Sequence, residues 1–258
     1  MADSIYVHID TTSNAVLTKG LNANDFSNSI VHQPKNLLLL DPSSSYGEYD
    51  AHTGLKTIRG SENVAKFFRS LHDSRDTDDL KWIDFTDLTM LKELTPLEIS
   101  ELLYFGHMKT HLHSPFFYKL QNNFVYFDLA NDLSRIYYRY LDEFYRILAD
   151  KLTFILSKKI NIKKNFFRKD IPTSRIDSEL LKEMRSIMQE GVIFCFDQIG
   201  LENNQYKIPI YVLEDYVWKT KGNQYRKEEI IATLIYHADT QKWHLNYESE
   251  DFSYLSFK

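Results

Sequence analysis

Apolar and polar residues alternate from Ile5 to Ile9, with Ile5, Val7 and Ile9 on one side and Tyr6 and His8 on the other. A period of two belongs to a strand. Turn residues over Asp10 to Asn14 and a return over Ala15 to Leu17 complete a predicted hairpin. The run Leu37 to Leu40, closed by Asp41-Pro42, predicts a short buried strand, and a polar loop follows to Gly54. Val64, Phe67, Phe68 and Leu71 then recur at helical spacing, predicting a helix over 62–71 with Ser61 as its N-cap.

Thr95-Pro96-Leu97-Glu98 is the sharpest local signal. Thr95 can accept from the Glu98 amide, Pro96 suits the first helical position, and Glu98 can reach back as a capping box. The helix is expected to run to Thr110 or Leu112. Phe116 to Leu120 and Phe124 to Phe127 flank Gln121-Asn122-Asn123 and predict a second hairpin. From Asn131 to Ser157 the residues Leu133, Tyr137, Tyr140 or Leu141, Phe144, Leu148, Leu152 and Ile155 keep a period near 3.6, predicting a long central helix. A basic, irregular stretch over 161–174 is the candidate boundary between an N-terminal portion, 1–160, and a C-terminal portion, 177–258, unless the two form one domain.

Beyond it, Asp177 or Ser178 caps a predicted helix to Glu190, and Gly191 suits the position just past its end. Strands are expected at 192–196, 208–213, 216–219, 229–237 and 243–247, the last two forming a hairpin. The fold class is therefore α+β, with mixed or antiparallel sheets packed around the long helix and a C-terminal helix followed by antiparallel hairpins.

Composition removes several function classes. The eight glycines never fall in a dinucleotide or P-loop spacing, and the single cysteine allows neither a C-x-x-C motif nor an internal disulfide. No apolar run nears the roughly 20 residues of a membrane span, and Met-Ala-Asp-Ser does not open a secretory signal. A cytoplasmic chain without a membrane partner is expected. The net charge of −5 gives no general attraction to nucleic acid. The charge is segregated, with acids concentrated over 73–101 and bases over 135–175, either as two solvated faces or as complementary surfaces.

Three constellations could carry chemistry. His107 and His111 stand four apart on one helical face, with His113 just beyond, and could share a metal ion. The glutamate of H-E-x-x-H is missing, and interaction with the carbonyl-rich end of the helix is the alternative. The loop 41–54 holds serines, acids and His52, so a Ser44–His52 pair is conceivable although no nucleophile elbow accompanies it. Lys158, Lys159, Lys163, Lys164, Arg168 and Lys169, interleaved with Phe166 and Phe167, could meet phosphates and unpaired bases, or simply end a helix. Cys195, between two phenylalanines in a predicted strand, reads as buried and inert. No motif names a cofactor. The leading expectation is a non-catalytic binding or regulatory protein acting through a protein partner or self-association. A hydrolase using His107 and His111 is the alternative, and nucleic-acid binding the third reading.

Overall fold

A computed structural model of the chain describes residues 4–73, 80–107, 114–129, 133–161, 172–213 and 230–248. In chain order the elements begin with β1 (Ser4–Asp10), β2 (Ala15–Lys19), α1 (Ala23–Ser29), β3 (Asn36–Leu39), β4 (Glu48–Tyr49), β5 (Lys56–Arg59) and α2 (Ser61–Asp73). There follow β6 (Lys81–Phe85), α3 (Thr89–Lys92), α4 (Pro96–Gly106), β7 (Phe124–Leu129), β8 (Leu133–Tyr138) and α5 (Asp142–Asn161). The rest are α6 (Ser178–Lys182), α7 (Arg185–Met188), β9 (Val192–Cys195), β10 (Gly200–Glu202), β11 (Gln205–Val212), β12 (Ile230–His237) and β13 (Lys242–Tyr247). The fold is mixed α/β and dominated by antiparallel strand pairing. Among the described residues no helix is long and apolar enough to cross a membrane.

The chain divides into two compact units. One comprises 10–17 and 21–143, with strand order β2-β8-β7-β6-β3-β5-β4. Its sheet is covered on both faces, because alternate residues of each strand point opposite ways. On one face Trp82, Phe124, Tyr126 and Tyr138 meet Phe26 of α1 and Phe68 of α2, all at most 2% exposed. Phe26 is the hub, its ring centroid 5.0–6.4 Å from the other five. On the other face Leu38, Ile83, Phe85, Val125 and Phe127 pack with Leu91 of α3 and Leu102 and Phe105 of α4. The other unit comprises 1–9, 18–20 and 144–258; its strands run β13-β12-β11-β9-β1, with β10 on β11. There the segment before α6 is tied to α5: the Ile176 amide donates to Thr153 Oγ1 at 3.0 Å, and Arg175 pairs with Asp150.

Several expectations hold in detail. The Thr95/Glu98 capping box is present with Pro96 inside it, Asp177 caps α6, and Gly191 has φ +83°. The β12–β13 hairpin forms with His237 opposite Lys242. Others fail. Residues 133–138 are strand β8, paired with β7 from Leu129–Leu133 to Phe124–Tyr138, so the helix expected from Asn131 starts only at Asp142. Leucine and aromatic residues spaced four apart fit both periods, and pairing with β7 decides between them. The helix that remains, α5, is 20 residues long and buries Phe144, Leu148, Leu152 and Ile155.

The expected hairpin at 116–127 lacks its first strand. Tyr118–Leu120 is a 3₁₀ turn, and buried Asn122 supplies the missing partners, accepting from Phe117 N at 2.8 Å and donating to Pro115 O at 3.3 Å. α4 ends at Gly106, short of Thr110. The helix expected to Glu190 breaks into α6 and α7 while keeping Leu181, Met184, Ile187 and Met188 buried. Ser61 is already helical: Gly60, whose carbonyl accepts from Val64 N at 3.0 Å, takes the cap position. The expected strand at 216–219 lies outside the described residues.

Candidate functional site

The polar loop 41–54 is shaped by its own short side chains. Asp41 Oδ1 accepts from the Ser43 amide at 2.8 Å and hydroxyl at 2.7 Å, and Asp50 Oδ1 accepts from both Thr53 donors at 3.0 Å. The Lys56 ammonium donates to the Ser44 carbonyl. Gly47 has φ +76°, and a Cβ there would sit 2.8 Å from the Thr57 carbonyl oxygen, so only glycine lets the loop close on β5.

That closure leaves a groove of about 520 Å³. Tyr46, Gly47 and Glu48 form one wall, and Thr57, Ile58 and Arg59 of β5 the floor. The other wall is Asn63, Lys66, Phe67 and Ser70, one stripe of α2 at helical spacing. Tyr46 meets Phe67 edge to face at 5.2 Å. The rim carries both charge signs. Arg59 Nε donates to Thr57 Oγ1 at 3.0 Å while its other nitrogens lie 3.9 Å from Glu48 and 3.8 Å from Asp50. Lys66 pairs with Glu62 at 2.7 Å. With its cations already balanced, the groove suits an amphipathic ligand better than a strongly charged one.

Of the residues singled out by sequence, His52 belongs to this loop but does not meet Ser44. Its Nε2 lies 2.9 Å from the Leu94 carbonyl oxygen, and Ser44 Oγ accepts from the Tyr46 amide at 3.2 Å. His107 is exposed at the C-cap of α4, while His111 and His113 lie outside the described residues. Among the described residues no three His, Cys, Asp or Glu side chains are grouped to hold a metal. Lys158 and Lys159 occupy the last turn of α5, and Lys158 Nζ stands 4.7 Å from the Phe154 ring centre. Lys163, Lys164, Arg168 and Lys169 lie outside the described residues. Cys195 is buried, and burial, reinforced by Asp197, pushes its thiol up to about 12.

One arrangement escaped sequence reasoning. Glu143, 3% exposed, accepts from the Val31 amide at 2.8 Å, the His32 amide at 3.2 Å and His32 Nδ1. The imidazole lies over the Tyr140 ring, centroids 5.1 Å apart and planes inclined by 26°. With Nδ1 held by the carboxylate, Nε2 is the nitrogen left on a side chain that is 48% exposed. No local pattern links residues 111 apart in sequence.

The chain matches no protein-family model, no curated protein and no solved structure.

Proposed function

We propose that this chain is a non-catalytic binding protein, acting through a protein partner or through self-association, and that the groove along α2 is its contact surface. The observation that carries the reading is the groove's make-up. An aromatic pair, Tyr46 and Phe67, sits under a rim of both charge signs, with exposed Tyr49 on the neighbouring edge strand β4. Tyrosine, phenylalanine and arginine concentrate in protein interfaces because they bury large areas while keeping a polar contact. Light scattering over a concentration and salt series, run beside the Tyr46→Ala/Lys66→Glu variant, tests it. The wild type is expected to self-associate, or to retain a protein partner, with the variant weakened at least tenfold and its circular dichroism unchanged. A strict monomer that retains nothing the variant loses removes the proposal.

Hydrolysis is the second reading, and one observation favours it. A buried carboxylate on Nδ1 is the arrangement that orients an imidazole as a general base. This reading moves the catalytic histidine from His107 and His111 to His32. It requires ester hydrolysis that His32→Ala abolishes and Glu143→Gln lowers, and a wild-type rate equal to background ends it.

A further inference from the structure

We infer that His237 and His244 form a binding site for a borderline transition-metal ion on the open face of the β11–β12–β13 sheet. The register places them together. His237 is opposite Lys242 and Ile235 opposite His244, so the two histidines share a face and lie on a diagonal across the hairpin. The opposite face is covered: the Ser174 amide donates to Tyr236 Oη at 3.3 Å, and Trp243 Nε1 donates to the Ser174 carbonyl at 2.9 Å. His237 is half-buried and His244 exposed, and among the described residues their side chains meet each other.

The imidazole centroids are 4.9 Å apart with the planes at 84°. A metal–nitrogen bond of about 2.0–2.1 Å puts each ring centroid about 3.2 Å from the ion. Nitrogen–metal–nitrogen angles between about 90° and 109° then require centroids about 4.5–5.2 Å apart; the pair stands at 4.9 Å edge to face, so a turn of one ring brings a nitrogen of each onto one ion. Both strands hold the pair in contact without metal, so binding has only to turn a ring. The charged neighbours on this face are Lys242, opposite His237, Lys207, opposite Ile235 and paired with Glu202 at 2.5 Å, and Glu248, which accepts from Thr233 Oγ1 at 2.9 Å. Asp239, in the hairpin turn, accepts from the Asn204 side chain at 3.3 Å. Imidazole nitrogens suit Zn²⁺, Ni²⁺ or Cu²⁺ rather than the hard Mg²⁺, and the two carboxylates on this face are already engaged. A bound ion would staple β13 to β12.

Calorimetric titration of the tag-free full chain with zinc chloride tests the site. One ion per chain with micromolar affinity is expected. His237→Ala and His244→Ala should each weaken it at least tenfold, His107→Ala/His111→Ala should leave it unchanged, and magnesium should not compete. If His237→Ala fails to fold, His244→Gln at the exposed position carries the same test. Copper-loaded protein should show two coupled nitrogens by electron paramagnetic resonance, and one after His244→Gln. No zinc binding, or binding that the His237 and His244 variants leave intact (an adventitious ion only), overturns the inference.

Discussion

Replacing Asp84 with asparagine should change how stability depends on pH. Asp84 sits on β6 at 4% exposure, its Oδ1 accepting from the Phe124 amide at 2.6 Å and the Asn123 amide at 2.9 Å. Burial pushes the carboxyl from its ordinary 3.8 up to about 7, against the pull of those two amides and of Arg139. The folded chain therefore holds this proton more tightly than the unfolded chain. Stability tied to the protonated form is complete below about pH 4 and is lost as pH rises towards 7. A difference of about three pH units, at 1.36 kcal/mol each, sets an upper bound of about 4 kcal/mol.

Asp84→Asn keeps an Oδ1 acceptor for both amides and has no charge to bury. Urea unfolding of both proteins at half-unit steps from pH 4.5 to 7.5 reads the effect. The asparagine variant should gain on the wild type by on the order of 1 kcal/mol per pH unit. Parallel curves would refute the reasoning: the amides would then be strong enough to keep Asp84 ionised throughout. Asp84→Ala is the control, since it leaves two inward amides without an acceptor at about 1–3 kcal/mol each and should destabilise at every pH.

Two further substitutions probe the units separately. Phe26→Ala empties the hub of the aromatic cluster and should cost about 3–5 kcal/mol, read as a lower urea midpoint; a loss under 1 kcal/mol would mean the cluster collapses around the gap. Gly191→Ala places a Cβ 2.4 Å from the Leu213 carbonyl oxygen and 2.8 Å from Tyr6 Oη at φ +83°, and should cost about 2–4 kcal/mol by the same assay; an unchanged midpoint would show that β9 can shift away.

What the chain declares locally was legible without coordinates. The Thr95-Pro96-Leu97-Glu98 box, the Asp177 cap, Gly191, the Leu37 to Leu40 run and the β12–β13 hairpin each rest on residues within a few positions of one another. Short-range hydrogen bonds and backbone conformation do not need the rest of the molecule. The loop 41–54 was also visible as a polar segment, and so was the helix that faces it across the groove.

The rest was settled by partners distant in sequence. Helix α1 has a capping box at Asn22 and Asp25, yet only two buried residues, and it matters because Phe26 enters a cluster assembled from α2, β6, β7 and β8. Residues 133–138 have a pattern that fits helix or strand, and pairing with β7 makes them strand. Asn122 and Asp84 look like ordinary polar residues until the 3₁₀ turn needs the acceptor of one and the start of β7 that of the other. Glu143 meets His32, and His237 meets His244, only where the backbone has been turned and placed in register. Local chemistry determined particular caps and turns; the extent of several elements, the sharing of faces and with it every candidate site belong to tertiary structure, because burial and contact are properties of pairs that the linear order does not contain.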